Sequence, residues 1–144
     1  PETTIGFHPE GTRGKGPDPY ELLPAQPGVG KIALLAKPMV VPGFINGLGN
    51  NIVDDIRVTY TKEARRSRAI VSVFGAPVDY SALAAEKPRP TLYKKCADLF
   101  MAEVKKLSVR ERELRADVMA GRIPDDDPRW IDNWGASKLY AFEA

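Results

Sequence analysis

Phe7-His8-Pro9-Glu10-Gly11-Thr12-Arg13 joins a strand-like segment to a turn, and the expected fold follows from that junction. Upstream, Thr3-Thr4-Ile5-Gly6-Phe7 is short, β-branched and apolar, which predicts a buried strand. Downstream, residues 14–27 are rich in Gly and Pro and predict irregular backbone, with Tyr20, Leu22 and Leu23 available to pin it to the body. In open α/β sheets, ligands bind outside the carboxyl ends of strands. The residue types at this strand end suit an anion. Arg13 offers a planar fork of donors matched to a pair of phosphate oxygens. Glu10 can orient that fork, Gly11 allows close backbone approach, and Thr12 adds a hydroxyl donor.

Beyond the turn the pattern alternates. Residues 29–36 carry Val29, Ile32, Ala33, Leu35 and Ala36 at helical spacing, and Pro38 ends the expected helix. Met39-Val40-Val41 is a continuous apolar run, as in a strand buried on both faces, and Pro42 closes it. Residues 43–51 hold three glycines and three asparagines, which predicts a turn-rich loop. Residues 56–61 alternate Ile56, Val58 and Tyr60 with polar neighbours, the pattern of a half-exposed strand. A charged connection, 62–68, leads to a second strand over 69–74, stopped by Gly75 and Pro77. After Pro90 the spacing turns helical, with Leu92, Cys96, Leu99, Phe100, Val104 and Leu107 on one stripe interrupted by Glu103. Ser108 and Glu111 have capping-box spacing, which predicts a helix restarting there, with Leu114 and Val118 on its buried side. Gly121 and Pro124 end it. Asp125-Asp126-Asp127-Pro128 reads as a polar turn, and Trp130, Trp134, Tyr140 and Phe142 as a tail folding back on the body. In outline this is an α/β sandwich with a helical C-terminus.

A chain of 144 residues suffices for one domain with a single core. Hydrophobic residues make up 43% and charged residues 28%, ordinary values that argue against general disorder. The net charge of +2 is too small to imply nucleic acid, so none is expected as a partner. Cys96 is the single cysteine, which excludes an internal disulfide and a cysteine-based zinc site. No apolar stretch reaches bilayer length: the longest, residues 32–45, is broken by Lys37, Pro38, Pro42 and Gly43. No signal-peptide pattern is visible, and a start at Pro1, close to an expected strand, suggests a piece of a longer polypeptide.

Other signals yield blander readings. Gly28-Val29-Gly30-Lys31 hints at a nucleotide phosphate loop, but that motif requires Gly and Ser or Thr where the chain has Ala25 and Ile32. Arg65, Arg66 and Arg68, and Lys94, Lys95, Lys105 and Lys106, suit a solvated face; the sharper alternative is attraction to anionic headgroups or to the phosphates of coenzyme A. Cys96 lies on the apolar stripe as a small core residue. The Asp125 to Asp127 run fits a solvated turn better than a cation site. Trp130 and Trp134 fit either a membrane interface or core contacts.

Pro9-Glu10-Gly11-Thr12-Arg13 is similar to the F-P-E-G-T-R signature of the phospholipid acyltransferase family, typified by 1-acyl-glycerol-3-phosphate acyltransferases. Pro24-Ala25-Gln26-Pro27-Gly28 falls where that family has a P-F-K-x-G segment, followed by a helix and by Val40-Val41-Pro42 as a buried strand ending in proline. Phe74-Gly75-Ala76-Pro77-Val78-Asp79 resembles the G-x-P-hydrophobic-D pattern ending the family's last core strand, and the helix after Pro90 resembles its closing helix. The resemblance spans about residues 3–107. His8 intrudes between Phe7 and Pro9, and Ala25 and Gln26 replace an aromatic and a basic residue.

The resemblance implies the C-terminal part of a glycerolipid acyltransferase α/β sandwich, a mixed sheet with flanking helices, over residues 1–107, and a helical extension over 108–144. It implies acyl transfer from acyl-CoA or acyl carrier protein to the hydroxyl of a lysophospholipid at the cytoplasmic face of a membrane, with no bound cofactor or metal. Glu10, Gly11, Thr12 and Arg13 would hold the acceptor's phosphate, with Pro9, Gln26, Gly28 and Pro42 as secondary contacts. The family's catalytic base and its acidic partner come from an H-x-x-x-x-D motif upstream of E-G-T-R. His8, the single histidine, has Arg13 five residues on and is a strand-end residue. The expectation is that this polypeptide alone does not turn over. Two other readings stay open: a non-catalytic lipid- or phosphate-binding module, and an acyltransferase for another acceptor such as glycerol 3-phosphate or an amino-acid lipid.

Overall fold

A computed structural model describes residues 3–12, 16, 18–48, 53, 56 and 69–133. Helix α1 spans Pro27–Ala36. It starts two residues before the expected helix because proline at the first position needs no N–H there. It ends as Lys37 turns left-handed, φ 50°, with its N–H on the Ala33 carbonyl at 2.8 Å. Strands β1 (Gly43–Asn46) and β2 (Val71–Phe74) pair antiparallel, with Phe44 opposite Val73 and Ile45 opposite Ser72. A short helix α2 (Ser81–Ala84) begins where the Asp79 carboxylate accepts the Ser81 N–H at 2.9 Å. Helix α3 (Pro90–Met119) is 30 residues long, about 45 Å at the usual rise per residue.

Helix α3 is the spine. Its N-terminal half packs with α1 in one cluster: Ala33, Leu34, Tyr80, Leu92, Cys96 and Phe100. Its C-terminal half packs under the two-stranded sheet in a second: Phe44, Ala69, Val71, Val73, Val104, Leu107, Val118 and Ile123. Helices α1 and α3 approach so closely at Gly30 that a Cβ there would stand 2.0 Å from the Tyr93 carbonyl oxygen. At the far end, the Arg122 N–H reaches the Asp117 carbonyl at 2.9 Å and the Gly121 N–H the Val118 carbonyl at 3.1 Å. Gly121, φ +66°, supplies the left-handed residue that this Schellman stop requires.

The architecture is a small α/β one. Several expectations are corrected. Thr3 to Phe7 is neither strand nor buried; all five residues are exposed, and among the described residues no strand pairs with them. Composition favours extended backbone there, but a strand exists only with a neighbour to share its hydrogen bonds. The sheet among the described residues has two strands and is purely antiparallel, not mixed. Met39-Val40-Val41 is not a strand buried on both faces: Met39 and Val41 are exposed. The Val40 and Pro42 carbonyls accept the Val78 and Gly75 N–H groups at 2.8 and 3.0 Å, but Pro38 and Pro42 have no N–H to give back. The ladder therefore closes only from Gly43 onward, in the segment whose Gly and Asn content predicted a loop. Pairing with β2 overrides that weak local preference.

Ile56, expected to open a strand, has helical backbone, as has Val53; alternation over so few residues does not decide between the two. Residues 57–68, including Arg65, Arg66 and Arg68, lie outside the described residues. The helix does not restart at Ser108, and the 107/108 boundary falls inside the continuous α3. Ser108 and Glu111 are both buried, and the Ser108 hydroxyl donates to the Lys105 carbonyl at 2.8 Å. Capping-box spacing coincides with the three-residue step of an uninterrupted helix face. The expected second strand, the burial of Cys96 and Val118, and the docking of Tyr20 and Leu22 onto the body are present, whereas Leu23, expected to dock with them, is exposed. Trp130 packs against the cluster under the sheet with its indole N–H on the Pro124 carbonyl at 2.8 Å. Trp134, Tyr140 and Phe142 lie outside the described residues.

Candidate phosphate-binding site

Residues 8–11 form a tight turn closed by the Gly11 N–H on the His8 carbonyl at 2.9 Å. Gly11 has φ +71°, a conformation that suits glycine. This turn rests on the entry to α1. The Gln26 N–H donates to the Pro9 carbonyl at 2.7 Å, and a Cβ on Gly11 would meet the Gln26 Cγ at 3.1 Å. Glu10, half-buried, accepts the Leu23 N–H at 3.1 Å. Pro9, Glu10, Gly11 and Gln26 thus converge at one helix start, with Gly28 two residues further on. Thr12 follows Gly11 and is exposed. Arg13 lies outside the described residues.

The first N–H groups of a helix have no partner within it and carry the positive end of its dipole. In α1 the N-cap residue Gln26 is extended and its side chain caps none of them. The first turn holds no acidic side chain. Gly28 is exposed, with nothing within 4 Å of the position of a Cβ. Such an end favours an anion, phosphate included.

Pro42 does not join this group. It is buried and lines a separate cleft of about 420 Å³ with Gly75, Pro77, Asp79, Leu99 and Lys106 among others, and none of residues 9–28 lines that cleft. His8 is exposed. Lys95, Lys105 and Lys106 on α3 are exposed, and Lys94 and Lys106 pair with Asp98 and Glu103, as on a solvated face. Among the described residues no group of three or more His, Cys, Asp or Glu is placed to hold a metal. Asp127 instead grips Arg129 through three hydrogen bonds of 2.7 to 2.9 Å, which hold its carboxyl down at about 2. Burial pushes the Cys96 thiol up. No helix among the described residues is long and apolar enough to cross a membrane.

Sequence reasoning missed a polar cluster under the β1–β2 sheet. Glu111 is fully buried. Its Oε2 accepts the Tyr20 hydroxyl at 2.7 Å and the Asn46 side-chain amide at 3.4 Å. Its Oε1 accepts Arg115 Nε at 2.7 Å. Arg115 Nη1 donates to the Ala69 carbonyl at 3.1 Å. Nη2 stands 2.6 Å from Oε1 but off hydrogen-bond geometry, so this buried atom has charge contact without a hydrogen bond. Burial, and then the Glu111 carboxylate, raise the Tyr20 phenol above its ordinary range. The one available sequence signal was the four-residue step from Glu111 to Arg115. No protein-family model, curated protein or solved structure matches the chain.

Proposed function

We propose that this chain is the phosphate-gripping part of a glycerolipid acyltransferase, acting at a membrane surface on a lysophospholipid such as 1-acyl-glycerol-3-phosphate. One observation carries the proposal. The turn over residues 8–11, where the E-G-T-R sequence begins, is hydrogen-bonded to the entry of α1, Gln26 N–H to Pro9 carbonyl at 2.7 Å, beside helix N–H groups that Gln26 does not cap. Glu10, Gly11, Thr12 and Arg13, with Gln26 and Gly28, would hold the acceptor's phosphate. In the complete reaction a glycerol hydroxyl attacks the thioester carbonyl of acyl-CoA or acyl carrier protein. Its proton passes to a histidine base, the C–S bond breaks, and the thiolate leaves. Holding the phosphate places the hydroxyl and accelerates by proximity.

The single histidine of the chain, His8, has no aspartate five residues on. That favours a second reading, a phosphate- or lipid-binding module without chemistry of its own. Calorimetric titration with inorganic phosphate, glycerol 3-phosphate and lysophosphatidic acid tests the site. Binding that Arg13→Ala weakens at least tenfold supports it, and unchanged affinity removes Arg13. Turnover of acyl-CoA by this chain, abolished by His8→Ala, would overturn the assignment of the base to another segment.

A further inference from the structure

We propose that Tyr20, through its hydrogen bond to the buried Glu111, is the positioning residue of the phosphate site at the start of α1; this rests on the phosphate-binding function proposed above. Residues 18–26 form a strap between α3 and the 8–11 turn. Both hydrogen bonds from the strap to the turn leave its far end: Leu23 N–H to Glu10 Oε1 at 3.1 Å, and Gln26 N–H to the Pro9 carbonyl at 2.7 Å. Its near end is fixed by Tyr20, whose hydroxyl meets Glu111 Oε2 at 2.7 Å. The Tyr20 ring stacks on Phe44 with centroids 6.1 Å apart, and the Arg112 guanidinium lies 4.1 Å from the ring centre.

The anchor is directional. Leu22 and Ala25 also hold the strap through apolar contacts, and Asp18 faces Arg112 across 4.0 Å, beyond hydrogen-bond reach, all of which tolerate sliding. A hydrogen bond to a buried charge does not slide, because a displaced hydroxyl leaves a carboxylate oxygen short of donors. Glu111 itself is fixed from the other side by Arg115, which is tied to the Ala69 carbonyl beside β2. The strap is thus tied to α3 at Tyr20 and to the turn at Leu23 and Gln26, with the backbone between them as the link.

The test uses the full chain, comparing wild type, Tyr20→Phe and Val118→Ala. The phenylalanine keeps the ring stack and leaves Glu111 with Arg115 and Asn46. Val118→Ala weakens the same core cluster seven residues along α3 from Glu111, about 10 Å, and leaves the Tyr20 hydrogen bond intact. Two readouts are taken: amide hydrogen exchange at Leu23 and Gln26 relative to Phe100, and inorganic phosphate affinity. In Tyr20→Phe, Leu23 and Gln26 should exchange about tenfold faster relative to Phe100, and phosphate affinity should fall by about the same factor. In Val118→Ala both should stay within about twofold of wild type, as expected for a distant site. Equal exchange at Leu23 and Gln26 in the two variants overturns the positioning role even if phosphate binds. Failure of wild type to bind phosphate, with faster exchange in Tyr20→Phe, overturns the site itself and Tyr20's role in it.

Discussion

Gly30 sits where α1 presses against α3, and Gly28 sits one half-turn earlier in open solvent. The two look alike in the sequence, as members of a Gly-x-Gly-Lys run that hinted at a phosphate loop. Their surroundings separate them. A methyl group on Gly30 would stand 2.0 Å from the Tyr93 oxygen and 2.9 Å from the Ala97 nitrogen, both backbone atoms that cannot swing aside. The helices must part, at an overpacking cost of about 1–3 kcal/mol or more, against about 1 kcal/mol gained in helix propensity. The cost wins, so Gly30→Ala should lower stability by roughly 2 kcal/mol in urea unfolding. Gly28→Ala meets nothing and should be neutral or slightly stabilising. Equal loss in both variants would mean that the close helix approach is not where the structure places it. The turn at residues 8–11 was legible because a Pro and a Gly announce a turn locally. Tyr20 and Glu111 were not, because they stand 91 residues apart and only the fold brings them together.

At the scale of elements, α3 was legible as helix and misjudged as two. Its apolar stripe is periodic over many turns, a signal that short strands cannot give. Ser108 and Glu111 fit a cap and an interior face equally well by spacing. A variant distinguishes them. As an N-cap, Ser108 replaced by Ala would cost about 1 kcal/mol; inside a continuous helix, Ser108→Ala should shift stability by no more than about 0.5 kcal/mol, since only a local bond to the Lys105 carbonyl is lost. Thermal unfolding decides. The segment after α3 has its own pH signature. Asp127 is held down to about 2 by its bonds to Arg129, below its ordinary 3.8. A depressed carboxyl contributes stability above its unfolded value and loses it as pH falls through the folded one. The turn around Asp127 should therefore loosen between about pH 4 and pH 2. Emission of Trp130, read in a Trp134→Phe background, should shift in that window, and Asp127→Asn should abolish the transition.

For the molecule as a whole, the two-stranded sheet was half legible for one reason: the chain writes both faces of its ribbon in apolar residues. The inner face, Phe44, Val71 and Val73, lies in the core cluster that includes α3 residues. Exposure alternates along residues 39–46 and 69–74, so Met39, Val41, Ile45, Ile70 and Phe74 share the outer pattern, 46 to 77% exposed. Runs apolar on both sides belong to sheets covered on both sides, which is why residues 39–41 read as a fully buried strand although only Val40 turns partly inward. No charged side chain interrupts the outer set, and an apolar surface of this kind attracts apolar probes. Anilinonaphthalene sulfonate should accordingly bind the native protein with enhanced emission. Ile45→Thr combined with Ile70→Thr should cut that emission by more than half while unfolding free energy stays within about 0.5 kcal/mol per site, because exposed side chains contribute little to the fold. A stability loss of about 2 kcal/mol or more would instead place these side chains in a buried layer, since that is what truncating buried isoleucines costs.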